Sequence, residues 1–224
     1  MKEKSIVGRL IIIFVLALAI GVCAQLILTP GFAGLGVDQA NPPTVNYLPG
    51  DSGSQSTGYN WQDHPVFVIG DSLTQGAANE IEQALGANAT VDGLKNRNMS
   101  QGLAILKDMD SKGILTDDSI IVVCLAHNIT GSTVDDAKQI VDMIRSGQSL
   151  VMMTGHGKSD MQPVNDYIRS LPSSSYIAVA DWDMTVSGSP GLLADDGIHI
   201  RGSQGNEVYA NLILKAVEAA KPKP

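Results

Sequence analysis

The chain has 224 residues, 44% hydrophobic, 17% charged and 4% aromatic, with a formal net charge of −8. That length fits one domain with appendages, and the apolar share excludes wholesale disorder. An acid excess without a basic stripe excludes nucleic acid as a partner, and two cysteines exclude a disulfide-stapled scaffold.

Residues 10–28 read LIIIFVLALAIGVCAQLIL, with no charge and Gln25 as the only strongly polar side chain. At about 1.5 Å per helical residue, the run nearly spans a ~30 Å hydrocarbon core. Lys2, Lys4 and Arg9 precede it, with Glu3 as the only acid. The positive-inside rule therefore makes 1–9 a cytoplasmic tail and 10–28 a transmembrane signal-anchor. The expected location is the cell membrane, single-pass, with the C-terminal domain extracytoplasmic. Two alternatives stay open. Cleavage at Val22-Cys23-Ala24 would secrete the domain, and Cys23 would be lipidated in a lipoprotein signal, which the bulky Val22 disfavours. Continuation of the apolar run to Leu28 favours the uncleaved anchor. Residues 29–63 are rich in Gly, Pro, Ser and Asn without a period of 2 or 3.6, as in a flexible extracytoplasmic linker.

A domain is expected over 64–220. Residues 66–69 (VFVI) read as a buried strand ending at Gly70, and 77–85 as a helix. Thr90-Val91 is a weak strand. Residues 99–109 place Leu103, Ile105, Leu106 and Met109 at helical spacing. Residues 119–126 (SIIVVCLA) are the strongest strand, with Cys124 a small core residue. Residues 134–144 are helical, and Ser132 with Asp135 resembles a capping box. A strand follows at 149–153, a helix at 164–171, the last strand at 176–180 and a closing helix at 207–219. Apolar strands alternating with helices predict a three-layer α/β/α sandwich around a parallel sheet of about five strands. Ligands then bind beyond the strands' carboxyl ends, which singles out 70–76, 126–131, 154–159 and the segment after Ala180.

Gly70-Asp71-Ser72-Leu73 ends the first strand and leads into a helix. Backbone N–H groups at that turn favour developing negative charge. The pattern is not the G-x-S-x-G elbow, which disfavours an ordinary α/β-hydrolase. Near the C-terminus, Asp196 stands three residues before His199 across a glycine turn. Such an Asp can hold the imidazole Nδ1 and leave Nε2 free to take a serine proton. Asn128, just after the strongest strand, can aim its amide at an oxyanion or simply form a turn. His64, His127, His156 and His199 lack zinc spacing, so no metal is expected. The run 154–159 (TGHGKS) fails phosphate-loop spacing and is left as a cleft wall or a plain loop. Trp182 after the last strand can stack on a sugar or pack in the core.

Gly-Asp-Ser-Leu, a strand-terminal Asn and Asp-x-x-His, in that order, resemble the SGNH/GDSL hydrolase superfamily, whose sandwich is flavodoxin-like. The resemblance implies Ser72 as nucleophile, Asp196 and His199 as the other triad members, and Asn128 in the oxyanion hole with the Ser72 N–H. It extends over nearly all of the soluble domain. The segments Val179-Ala180-Asp181-Trp182, Leu192-Leu193, Asp196-Gly197-Ile198-His199, Gly205 and Tyr209-Ala210 look like the extracytoplasmic SGNH domains of bacterial membrane acyltransferases, peptidoglycan O-acetyltransferases among them. Those domains commonly carry a Val-Gly-Arg-Gln-like second block and a Gly-Thr-Asn-Gly third block. Here Lys95-Asn96-Arg97-Asn98 and Ala126-His127-Asn128-Ile129 stand there. Asn96 stands where the family has a glycine; its backbone N–H could still serve as third oxyanion donor, and Asn tolerates a left-handed conformation better than most residues. His127 replaces a threonine and is placed as a substrate contact beside Trp182, or as a loop residue with no chemical role. The multi-span acyltransferase half has no counterpart in this sequence.

The expectation is an extracytoplasmic serine esterase or acyltransferase that works through an acyl-enzyme without a cofactor. The resemblance and the location imply a small acyl group, acetyl, on a cell-envelope glycan. A transferase would also need a membrane partner that supplies the acyl group. The rival is a non-catalytic SGNH-fold module that binds glycan or acts as a scaffold, which the altered second and third blocks motivate.

Overall fold

The computed structural model describes residues 59–171 and 176–224. The tail 1–9, the expected membrane segment 10–28 and most of the linker 29–63 lie outside the described residues. Among the described residues, no helix is long and apolar enough to cross a membrane.

Five strands, β1 (Val66–Gly70), β2 (Ala89–Gly93), β3 (Ile120–Cys124), β4 (Ser149–Met153) and β5 (Ile177–Ala180), form one sheet. Their order is β2-β1-β3-β4-β5, and every pairing is parallel. The inner strands β1, β3 and β4 are buried along their whole length, which is why their sequences are apolar without alternation. Val66 and Val68 face one core while Phe67 and Ile69 face the other. The described residues form seven α-helices: α1 (Ser72–Gly76), α2 (Ala78–Leu85), α3 (Met99–Ser111), α4 (Thr133–Asp142), α5 (Gln162–Ser170), α6 (Trp182–Ser187) and α7 (Gly202–Ala219). Side chains of α1, α2, α6 and α7 fill the Val66–Val68 core, and those of α3, α4 and α5 fill the second. The molecule is an α/β sandwich of three layers around a five-stranded parallel sheet.

Several boundaries differ from the sequence expectation. α1 and α6 lie where no separate helix is expected, and each is started by an aspartate. Asp71 Oδ1 accepts from the Leu73 N–H at 3.0 Å, and Asp181 Oδ1 from the Met184 N–H at 3.0 Å. α7 begins at Gly202 rather than at 207. The expected capping box at Ser132 is not formed. Its hydroxyl donates to the Asp136 carboxylate at 2.7 Å, and its side chain makes no cap bond to the helix backbone. The domain also reaches back at least to Tyr59 rather than starting at 64. Residues Trp61–Asp63 form a 3-10 turn, Tyr59 stacks on His64 at 4.8 Å, and Asn88 Nδ2 donates to Gln62 O at 2.8 Å.

The other end of the chain is fastened close by. The Lys223 N–H donates to Gln148 O, and the Gly147 N–H to Lys223 O, both at 2.8 Å. Lys221 Nζ lies 5.8 Å from the centre of the Tyr59 ring. Both ends of the described domain therefore sit where the strands begin.

Two core positions bear on the site. Cys124 is buried on β3, and burial pushes its thiol up to about 12, so it is inert as a nucleophile. At Gly70, a Cβ would lie 1.9 Å from Thr74 Oγ1, which bonds the buried Tyr209 hydroxyl at 3.1 Å. Gly70→Ala is expected to displace α1 and destabilise by about 1–3 kcal/mol, read from urea unfolding. An unchanged midpoint would mean that Thr74 yields freely.

Candidate active site

The strand order puts a reversal between β1 and β3, where the chain turns first to β2 and then back. In such sheets the crevice lies outside the carboxyl ends at that point. Ser72 follows β1 and Asn128 follows β3, so the topology carries both to that edge. Asp196 and His199 come from the loop after the 3-10 turn Pro190–Leu192. A bridge between Leu193 and Ile200 closes that loop at its base.

Ser72 Oγ lies 3.2 Å from His199 Nε2, and His199 Nδ1 lies 2.7 Å from Asp196 Oδ2. The second carboxylate oxygen, Oδ1, accepts the N–H groups of Ile198 and His199, both at 2.9 Å. The His199 hydrogen bond first, and then the two backbone donors, hold the Asp196 carboxyl well below its usual range. The Asp196 and His199 side chains are each 50% exposed, so the relay is open to solvent. A carboxylate, an imidazole and a hydroxyl in series can move a proton off the serine and return it to a leaving group.

The donor side is built from the turn after β2. The Arg97 N–H bonds Leu94 O at 3.1 Å, which closes a four-residue turn with Asn96 in its third position at φ 64°. That left-handed position suits Gly or Asn, so the expected glycine replacement fits the backbone. The Lys95 N–H donates to Gln75 Oε1 at 3.1 Å and the Leu94 N–H to Gly70 O at 3.1 Å, which lays the turn against α1. Among the described residues, the Ser72 and Asn96 N–H groups meet no acceptor. Asn128 Nδ2 gives one hydrogen to Arg97 O at 3.0 Å, and its second points to no partner in that set.

Arg97 was not singled out from the sequence. It is 5% exposed and ties the edge together. Nη1 donates to Gly70 O at 3.1 Å and to Asp92 O at 2.5 Å, while Nη2 donates to Asp92 Oδ1 at 2.8 Å. Its backbone carbonyl accepts from Asn128 Nδ2, so one residue, through side chain and carbonyl together, links the ends of β1, β2 and β3. The legible signal was an arginine between two asparagines shortly after the strand's end.

Two residues placed at the substrate take other positions. Trp182 is wholly buried, with its ring 5.0 Å from Tyr209 edge to face, and offers no surface to a sugar. The N-cap at Asp181 turns it inward as the first residue of α6. Trp182→Ala is expected to cost about 3–5 kcal/mol. Trp182→Phe should cost clearly less, because the indole N–H has no partner to lose among the described residues. Denaturant melts of the two variants check this, and equal losses would contradict it. His127 also lies inside, with 8% exposure, and both its ring nitrogens are engaged by the protein, so neither is free to bond a substrate.

No family model matches the sequence, and neither does any curated protein. Solved structures do match. The C-terminal catalytic domain of Streptococcus pneumoniae peptidoglycan O-acetyltransferase A, determined with a methylsulfonyl adduct, superposes with a TM-score of 0.64 at 20% identity, covering 71% of this chain and 97% of that one. A G-D-S-L family lipolytic protein from Veillonella parvula gives 0.58 at 12% identity, covering 68% and 97%. A putative lipolytic protein of the same family from Desulfitobacterium hafniense gives 0.51 at 17%, covering 68% and 98%. The chain has the SGNH/GDSL hydrolase fold. Within the SGNH fold, Ser72, the turn with Asn96, Asn128 and the Asp196–His199 loop occupy the carboxyl edge of the sheet in chain order.

Proposed function

We propose that the protein is a serine esterase or O-acyltransferase that works through an acyl-enzyme. The observation that carries this reading is the continuous relay from Asp196 through His199 to Ser72 Oγ, at 2.7 and 3.2 Å. Ser72 attacks the ester carbonyl as His199 Nε2 takes its proton. The Ser72 N–H, the free Asn128 amide hydrogen and the Asn96 N–H receive the oxyanion. His199 then protonates the leaving alcohol, and water or an acceptor hydroxyl repeats the sequence in reverse. The SGNH fold and the match to an O-acetyltransferase catalytic domain support the same chemistry. The uncharged segment 10–28, with its basic flank, supports an extracytoplasmic site. With that location, a half-exposed relay fits a small acyl group, acetyl, carried on a cell-envelope glycan. A membrane protein would supply the acyl group if the second attack is by a sugar hydroxyl.

The test is acetyl release from p-nitrophenyl acetate by the full chain in detergent, repeated with oligosaccharide acceptors. Turnover that Ser72→Ala abolishes supports the reading, and acetylated oligosaccharide selects the transferase. Equal rates for the two proteins would leave the non-catalytic glycan-binding or scaffolding module as the better account.

A further inference from the structure

A second imidazole lies directly behind the nucleophile, joined to the elements on both sides of the cleft. Asp71, next to Ser72, is fully buried. Its Oδ1 is committed to the Leu73 N–H, and its Oδ2 faces His127 Nδ1 at 3.2 Å. His127 Nε2 in turn lies 3.2 Å from the backbone nitrogen of His156. A backbone N–H can only donate, so Nε2 must be bare. The neutral ring then carries its proton on Nδ1 and gives it to Asp71. One tautomer alone satisfies both ends.

The chain of contacts continues past His156. Its Nδ1 bonds Asp183 Oδ1 at 2.7 Å, and Arg169 Nη2 holds Asp183 Oδ2 at 2.7 Å. Gly157, at φ 116°, packs so closely on the next loop that a Cβ would lie 2.7 Å from Ile198 Cγ1 and 2.9 Å from Gly197 O. Gly197 and Ile198 lie between Asp196 and His199. The loop after β4 is thus pinned on one side by His127 and pressed on the other against the loop that carries the base.

We infer that His127 is a positioning residue, a neutral Nδ1-protonated imidazole that sets Ser72 through Asp71 and the His199 loop through His156. This rests on Ser72 being the nucleophile. The 3.2 Å gap between Ser72 Oγ and His199 Nε2 spans the two halves this ring connects. A displacement of about 1 Å at such a gap costs on the order of 10²-fold in rate.

The experiment uses the full chain in detergent with two readouts. The first is the ¹⁵N imidazole spectrum of histidine-labelled protein, with the His127 signals assigned by their loss in His127→Asn. The expected pattern is a protonated Nδ1 and a bare Nε2. The second readout is the rate of Ser72 modification by methanesulfonyl fluoride. There the serine oxygen bonds sulfur, the S–F bond breaks, fluoride leaves and the hydroxyl proton passes to His199. His127→Leu is expected to slow this about 10²-fold. His127→Asn keeps a donor near Nδ1, and His127→Gln keeps an acceptor near Nε2. Each should recover part of the rate, whatever its effect on the melting temperature.

An Nε2-protonated His127 would overturn the inference, as would a sulfonylation rate unchanged in His127→Leu. Asn and Gln variants that fall with Leu to one common rate would also overturn it, by reducing His127 to packing. Wild-type protein that the reagent does not label at Ser72 would overturn the nucleophile itself, a failure distinct from the other three.

Discussion

Ser72→Ala is expected to lower p-nitrophenyl acetate turnover by at least about 10⁴-fold while leaving the unfolding midpoint unchanged. The hydroxyl is the only group removed, and among the described residues its side-chain partner is His199 Nε2 at 3.2 Å. The donors that the proposed mechanism assigns to the oxyanion are backbone N–H groups and Asn128, and the substitution keeps all of them. Residual turnover then measures what those donors do without a nucleophile. Steady-state rates at matched protein concentration, with unfolding followed in parallel, decide the matter. A drop below about tenfold would remove Ser72 from the chemistry.

Asp196→Asn is expected to lower kcat by about 10²–10³-fold, less than the ~10⁴ seen where the triad aspartate is buried. Asp196 does two separable things. Its Oδ1 receives the Ile198 and His199 N–H groups, which an amide oxygen can still do. Its Oδ2 receives Nδ1–H, and an amide there would present a donor instead, turning the ring's proton toward Ser72. Because the side chain is half exposed, water can partly replace the lost acceptor. The wild-type pH profile follows from the same contacts. The hydrogen bonds to His199 and to the backbone depress the carboxyl, so Asp196 stays ionised as pH falls through the ordinary carboxylate range. Any stability from these bonds is present above that range and is lost only as pH falls through the lowered value. The acid side of the kcat/KM profile should therefore carry no proton uptake by Asp196 in the ordinary carboxylate range and have a slope no steeper than about one. A slope of two would place Asp196 on the same limb.

The sheet was legible because burial on both faces leaves no choice but apolar residues, and β1, β3 and β4 are unbroken runs of them. β2 and β5 are shorter or less buried, and only Thr90-Val91 marked β2. The helices α1 and α6 were missed because five or six residues hold too little period to read, and their start signal is one aspartate each. Ser72, Asp196 and His199 were readable because fixed local turns carry them, and the structure brings all three together. Arg97, Asp71 and the inward turn of His127 were not, since each depends on partners tens of residues away. Trp182 shows the limit most plainly. The same residue after the same strand can face out or in, and the N-cap at Asp181 decides.

Both ends of the described domain lie at the pole where the strands begin, and Ser72 lies at the pole where β1 ends. A five-residue strand separates the two by about 16 Å. A rigid attachment at either end of the described domain, whether to a surface, a resin or a second protein, therefore leaves Ser72 facing away from the support. The polarity of a parallel sheet gives the described domain two unlike poles, one that carries both of its ends and one that carries Ser72.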